Sequence, residues 1–201
     1  MAENKVVFGL KNVYYAVITD ETDDLLTYAV PARIRGAVNL TMTPQGEQTE
    51  FYADDIMYYD ETSNTGYEVG LEIAKMPEQF RIDALGEIVD ANGVLLEDAN
   101  AKPKKLALMF EFDGDENATR HCLPYCSVAR PTQGSSTKTA TAEPTTQELT
   151  LRATPTPTSG LPKYSTSSMT EPATYENWYN AVYEPNMTQP EEPTVTTLDK
   201  E

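Results

Sequence analysis

Histidine and cysteine, the side chains that most often bind metals or act as nucleophiles, are nearly absent from this 201-residue sequence. It contains one His and two Cys, which lie close together at His121, Cys122 and Cys126. Zinc prefers thiolate and imidazole ligands, but three ligands are too few for a closed site, and on a strand His121 would point away from Cys122. Two cysteines are also too few for a disulfide framework, so we expect two reduced thiols.

Catalytic motifs are lacking as well. The sequence has no Gly-x-Ser-x-Gly elbow, no phosphate-binding glycine-rich loop and no His-Glu-x-x-His helix. Asp113, Asp115 and Asn117 begin like a calcium-binding loop, but Ala118 and Pro124 stand where that loop needs Gly and Glu, so a hairpin turn is predicted there. We therefore expect no catalytic residues, no metal and no cofactor.

Long hydrophobic runs are missing too. No apolar stretch approaches the ~20 residues that cross a bilayer, and the first ten residues lack the basic start, apolar run and cleavage site of a signal peptide. We expect a protein made in soluble form in the cytoplasm, with no membrane partner.

Positive charge is scarce, with 15 Lys and Arg against 32 Asp and Glu, a net charge of −17. Proteins bind nucleic acid largely by neutralising phosphates with Lys and Arg, so specific nucleic-acid binding is not expected. The one basic cluster, Lys102, Lys104 and Lys105, is interpreted as a solvated strand entry rather than a binding patch.

Alternation of apolar and polar residues is the dominant pattern present, and it predicts half-buried strands. We expect strands at 11–19, 36–43, 67–75, 106–113, 118–130 and 145–154, extended segments at 48–53 and 56–59, and a hairpin over 87–97 around Asn92-Gly93. Short helices are predicted between Pro77 and Gly86 and over 174–183, where Tyr175, Trp178, Tyr179 and Val182 share one helical face.

These elements predict one domain of mainly β class. Residues 1–10 form an N-terminal arm, 11–184 the domain, and 185–201 an acidic tail that is not expected to fold. The Thr/Ser-rich stretch 131–142 is predicted to be a loop within the domain, because it has too little apolar surface to bury.

The order of several short segments resembles the major tail protein family of phages with long, non-contractile tails, mainly those of Gram-positive hosts. The segments that carry the resemblance are Gly9 to Ala16, Gly36-Ala37-Val38, Phe51 to Asp55, Asn64 to Tyr67, Leu85-Gly86-Glu87, Asn92-Gly93-Val94, Phe110 to Asp115, Arg120-His121, Ala129-Arg130-Pro131 and Tyr175 to Trp178. Their shared order covers the chain from about Phe8 to Tyr183.

The resemblance implies a tail-tube fold, an antiparallel β-sandwich or flattened barrel of two sheets with one or two short flanking helices. It also implies hexameric rings that stack into the tail tube of the virion, with no catalytic residues. The implied partners are further copies of this chain and the tape measure, tail terminator and distal tail or initiator proteins of the same phage.

Tube building needs one interface that closes a ring and a second that repeats along the axis. Sheet edges suit the first, and the N-terminal arm, residues 54–66 and the loop 131–142 suit the second. The aromatic residues open both to core packing and to assembly contacts are Tyr14, Tyr15, Tyr52, Tyr58, Tyr59, Tyr67 and Trp178. The acidic charge fits a lumen through which DNA slides without binding, and it fits equally a self-assembling subunit that must stay soluble.

Three alternatives remain at this point. A tube subunit of a tail-like particle would have the same chemistry. A carbohydrate-binding β-sandwich would present Trp178 and the tyrosines on an exposed platform, and an enzyme would need an ordered carboxylate pair in a cleft.

Overall fold

A computed structural model describes residues 9–22, 25–53, 55–113, 118–135 and 145–185, with the backbone alone described for 48–53 and 60–62. The predicted acidic tail from residue 186 onward, the turn at 114–117, most of the N-terminal arm and the second half of the Thr/Ser-rich loop lie outside the described residues.

The described chain forms thirteen strands and two short helices. The strands are β1 (Leu10–Glu21), β2 (Leu26–Tyr28), β3 (Ala32–Arg33), β4 (Ala37–Gln45), β5 (Gln48–Ala53), β6 (Ile56–Thr62), β7 (Gly66–Ile73), β8 (Ile88–Val89), β9 (Leu95–Leu96), β10 (Leu106–Phe112), β11 (Arg120–Val128), β12 (Gln147–Ala153) and β13 (Tyr164–Ser165). The helices are α1 (Glu78–Asp83) and α2 (Pro172–Asn177). The prediction of a mainly β chain with two short helices is confirmed.

Nine of these strands form one antiparallel sheet in the order β2-β1-β10-β11-β12-β7-β4, with β3 beside β1 and β13 beside β11. The two remaining pairs, β5–β6 and β8–β9, are separate two-stranded hairpins. The sheet bends around one apolar cluster to which β1, β4, β7, β10, β11 and β12 all contribute. It is a flattened barrel left open, because β2 and β4 end the strand order without pairing with each other.

Strand β11 joins two halves of the sheet, with β1 and β10 on one side and β12, β7 and β4 on the other. Because β11 belongs to both halves, they do not separate into the two sheets of a sandwich. The first part of β11 pairs with β10, and Cys126 to Val128 pair with β12. The register of β11 shifts by one residue between Leu123 and Cys126, and Pro124 lies within that shift. A bulge tolerates a proline that an ordinary central strand would not, and it also bends the strand, so β11 turns the corner between the halves.

The half of the sheet formed by β1, β10 and β11 is covered on both faces. Leu108 and Phe110 face the main core, while Met109 lies on the opposite face with Cys122 and Trp178. The segment that includes β13, α2 and the following turns forms this second cover. Cover on both faces explains why the β10 sequence, LALMFEF, is almost continuously apolar and buried.

Helix α1 lies where the sequence predicts it, after Pro77, and its Phe80 enters the core. Gly86, three residues past its end, has a φ of +77°, which suits glycine. Helix α2 is shorter than predicted, since it begins at Pro172 and ends at Asn177. The helical spacing correctly predicted a buried aromatic face, but turns rather than a helix carry Val182 to that face.

No helix in the described part of the chain has both the length and the apolar composition needed to span a membrane.

Candidate assembly surface

The most prominent surface feature is a β-hairpin that continues past the end of β4 and β7. We call residues 46–65 the arm; it contains β5 and β6. The Thr65 N–H donates to the Gln45 carbonyl over 2.8 Å, and the Ser63 N–H donates to the Glu47 carbonyl over 2.9 Å, so backbone pairing runs from the sheet into the arm. At about 3.3 Å per residue, the 6 residues of β5 and the 7 residues of β6 extend about 20 Å and about 23 Å.

The arm strands β5 and β6 contact little of the chain besides each other. At the arm's base, a side chain on Gly46 would place its Cβ 1.9 Å from the Ser63 carbonyl oxygen. Glycine is therefore required where the two strands leave the sheet, and the sequence specifies the arm at this point.

The tip of the arm exposes large apolar and aromatic side chains. Ile56 is 62% exposed, Met57 51%, Tyr58 74% and Tyr59 52%. Single exposed apolar residues are normal, but four in succession on a projecting hairpin give it an exposed apolar surface of the kind found at protein interfaces. The arm also carries Glu47, Glu50, Asp54, Asp55, Asp60 and Glu61 with no Lys or Arg.

A second exposed apolar patch lies on the β8–β9 hairpin, where Ile88, Val89, Val94 and Leu96 are 47–58% exposed. Asp90 fixes the turn by accepting the Asn92 and Val94 N–H groups, each over 2.8 Å, and these bonds lower the pKa of its carboxyl. The sequence correctly predicted this hairpin. The exposed patch was missed, although the apolar runs on both sides of the turn, which do not alternate with polar residues, were its signal.

The aromatic residues proposed from the sequence as assembly contacts differ in how deeply they are buried. Tyr58 and Tyr59 lie exposed on the arm. Tyr15 and Trp178 are each only 3% exposed and pack inside the subunit, where the Tyr15 hydroxyl donates to Asp83 over 3.0 Å. Of these four residues, Tyr58 and Tyr59 lie at the surface of the subunit, and both are on the arm.

Two further members of that set are half-buried. The Tyr14 ring stacks on Tyr179 at 4.7 Å between centroids, and the Lys163 ammonium lies 5.9 Å from the centre of the Tyr67 ring. The remaining member, Tyr52, lies on β5, and its side chain is outside the described part of the structure.

A charged network that the sequence did not reveal fastens α2 and the following residues to the sheet. Glu111, which is buried, accepts a hydrogen bond from the Tyr179 hydroxyl over 3.0 Å and lies 3.6 Å from the Arg120 guanidinium. That guanidinium also lies over the Tyr175 ring at 3.8 Å and hydrogen-bonds to the Tyr175 carbonyl. Lys11 contacts Glu111 from the other side at 3.3 Å. Burial raises the pKa of Tyr179, so its hydroxyl keeps its proton for this bond.

The histidine and cysteines do not come together. His121 stacks on Phe110 at 5.2 Å, Cys122 packs with Trp178 on the opposite face of the sheet, and Cys126 enters the main core. Burial raises the pKa of Cys126 to about 12 and that of Cys122 further, so both thiols stay protonated. Among the described residues, no group of three or more His, Cys, Asp or Glu is placed to hold a metal ion.

The half of the sheet formed by β12, β7 and β4 leaves its outer face open and polar. Side chains on this face include Thr41, Glu68, Glu148, Thr150 and Arg152, all of which are exposed. The opposite face of the same strands contributes Leu40, Leu71 and Leu149 to the core. This contrast between the faces follows directly from the period-two pattern of the sequence.

Comparisons with known proteins do not assign the chain to a family. No family model matches it, and no curated protein matches it. Among solved structures, it is similar to the tube-terminating cap of the anti-feeding prophage, at 7% sequence identity and a TM-score of 0.44, with 84% of this chain and 96% of the cap covered.

Proposed function

We propose that this chain is a structural protein of the virion that assembles through its arm into stacked hexameric rings, forming the tail tube of a long-tailed phage. The observation that carries the proposal is the arm, a paired hairpin with four exposed apolar side chains in succession, on a domain whose other aromatic clusters are packed internally. Such a patch costs solubility in an isolated subunit, and burial against another subunit removes that cost. The segment order that resembles the major tail proteins supports the same conclusion.

Two other features suit a subunit with more than one neighbour. Strand β4 pairs with β7 on one side and ends the strand order of the sheet, so its other edge can pair with a strand of the next subunit. The β8–β9 hairpin adds a second exposed apolar patch away from the arm. A ring that also stacks needs at least two distinct contacts, and the chain presents candidates for both.

The open polar face of β12, β7 and β4 is the surface that we assign to the lumen. Glu68, Glu72 and Glu148 lie on these strands against the single cation Arg152. A wall with few cations cannot grip phosphates, so DNA would pass without binding. Screening limits such repulsion to about 10 Å at 0.1 M salt, so only acids on the lumen wall would act on DNA.

A tube subunit of a tail-like particle remains the alternative with the same chemistry. A glycan-binding platform built on Trp178 is not favoured, because this side chain is buried against Met109 and Cys122 of the sheet. The carboxylates of Glu87 and Glu111, both buried, are engaged by Arg81 and Arg120, which does not favour a catalytic acid pair at these positions.

The test is to express the chain with its tape measure and initiator partners and to examine the product by electron microscopy and sedimentation. Hollow tubes of stacked rings are expected from the wild type. The double variant Met57→Ser, Tyr58→Ser should stay folded and fail to form tubes.

The matched control is Val30→Ser, Met169→Ser, which removes apolar side chains that are 83% and 91% exposed elsewhere on the surface. Its tubes should be normal. A wild-type chain that stays monomeric beside its partners, or an arm variant that builds tubes as well as the control does, would overturn the proposal.

A further inference from the structure

A groove lies between β1 and the start of β4, where the sheet stays open. Residues 10–13 line one side of it and residues 33–37 line the other. The Ile34 N–H donates to the Val13 carbonyl over 2.8 Å, which fixes the two sides relative to each other. At the rim next to Ala37, Val38 is 54% exposed. We call this feature the β1–β4 groove.

The groove concentrates positive charge in a chain whose net charge is −17. Arg33 and Arg35 line it, and both are exposed. Other basic residues of the chain, such as Lys11, Arg81 and Arg120, already contact carboxylates. Within the described part of the structure, no carboxylate lies within salt-bridge distance of Arg33 or Arg35. The groove therefore offers two cations to an acidic ligand.

The arm has the complementary composition. It combines acidic residues, no basic residues and an exposed apolar tip, and the groove combines two arginines with the exposed rim residue Val38. Carboxylates pair with guanidinium groups, and guanidinium groups also stack on exposed tyrosine rings such as that of Tyr58. The charges of the arm and the groove are thus complementary.

The arm that fits a given groove belongs to another molecule. Ala37, at the start of β4, lines the groove, whereas the arm begins after Gln45, at the other end of that strand. Nine residues of strand separate the two by roughly 27 Å. Backbone pairing continues from β4 into the base of the arm, so the arm extends further along the direction of β4. Apart from pairing with each other, β5 and β6 make few contacts with the other described strands and helices.

We propose that the β1–β4 groove is the receiving site for the arm of a second copy of this chain, with Arg33 and Arg35 pairing with its acidic side chains. This inference rests on the proposed function, because it names the partner surface of the arm in self-assembly. A contact between different surfaces of identical subunits is heterologous, so it repeats from copy to copy.

Crosslinking between two variants tests the contact directly. Tyr58→Cys places a thiol on the arm and Val38→Cys places one at the groove rim, while the native Cys122 and Cys126 are fully buried and should not react. The two variants are mixed under assembly conditions and treated with a short bismaleimide. A crosslinked heterodimer should form in the mixture and not in either variant alone, which shows that arm and groove come from different molecules.

Charge reversal tests the role of the arginines. Adding Arg33→Glu and Arg35→Glu to the Val38→Cys chain should lower the crosslink yield about tenfold, because attraction becomes like-charge repulsion. The control Lys102→Glu, Lys104→Glu changes the net charge equally at two exposed lysines and should leave the yield unchanged. Circular dichroism verifies that each variant is folded.

The outcomes separate this inference from the proposed function. If wild-type tubes form but Tyr58→Cys crosslinks to Leu96→Cys and not to Val38→Cys, the arm binds the β8–β9 hairpin and the groove proposal is wrong. An equal loss of yield in the arginine and lysine variants would also overturn it. If no tubes form with the partners present, the proposed function fails as well.

Discussion

The packing of Trp178 gives the sharpest test of the fold. This residue is the sequence's single tryptophan, is 3% exposed, and packs against Met109 and Cys122 of the sheet. Replacing such a buried aromatic residue with alanine removes its burial and leaves a cavity, so Trp178→Ala should lower the free energy of unfolding by about 3–5 kcal/mol. The whole free energy of unfolding of a protein is usually about 5–15 kcal/mol, so this loss is a large fraction of it. In a chain of this length the melting temperature should fall by about 10 °C.

The matched variant is Trp178→Phe. The Trp178 indole N–H has no hydrogen-bond partner among the described residues, so phenylalanine breaks no hydrogen bond there and loses only part of the packing. We expect Trp178→Phe to lower the free energy of unfolding by about 1–2 kcal/mol. Both losses are measured by urea unfolding followed by circular dichroism, and the wild-type tryptophan emission should shift to longer wavelength on unfolding.

Two results would refute the reasoning about Trp178. One is an alanine variant within about 1 kcal/mol of the wild type, since surface substitutions have effects of that size. The other is a wild-type emission maximum that does not move when the chain unfolds. Either result would mean that the segment that includes β13, α2 and the following turns does not cover the sheet.

Three further predictions follow from buried groups and close backbone contacts. Arg120→Leu leaves the buried Glu111 carboxylate without its guanidinium, although Lys11 remains beside it. Chemical denaturation should therefore show a free energy of unfolding that is lower by about 2–3 kcal/mol, and an unchanged value would contradict the network. Gly66→Ala should destabilise the fold, because Gly66 has a φ of +130° and its new Cβ would lie 2.0 Å from a β12 carbonyl oxygen; Gly134→Ala, with nothing within 4 Å, should melt like the wild type. Both thiols should resist maleimide until the protein unfolds, and rapid labelling of the native chain would refute their burial. Burial raises the pKa of Cys126 to about 12 from 9.0, so the contribution of this thiol to the free energy of unfolding should be fully present below pH 9 and decline toward pH 12 when urea unfolding is measured across that range.

Strands β4, β7 and β12 were predictable because one face of each is polar. In β7 and β12, buried residues such as Val69 and Leu149 alternate with exposed ones such as Glu68 and Glu148, so the period-two pattern indicated both strands and their inner faces. The β8–β9 turn was predictable because Asn92-Gly93 favours a positive φ, and Gly93 has a φ of +82°.

What the sequence could not predict depends on contacts between distant residues. The sheet order relies on β11 changing partners at the bulge near Pro124, and no local pattern encodes a partner. The end of α2 at Asn177 and the burial of Trp178 depend on packing against β10 and β11. The network around Glu111 joins it to Tyr179, 68 residues away. The groove between residues 10–13 and 33–37 likewise exists only after the sheet has bent.

The placement of the groove and the arm at opposite ends of β4 gives each subunit a direction. In a column built through the proposed contact, one end would present unfilled basic grooves and the other would present unpaired acidic arms. The proteins that start and stop such a column would therefore need opposite properties. One would supply an acidic, apolar projection that enters a groove, and the other would supply a basic pocket that covers an arm.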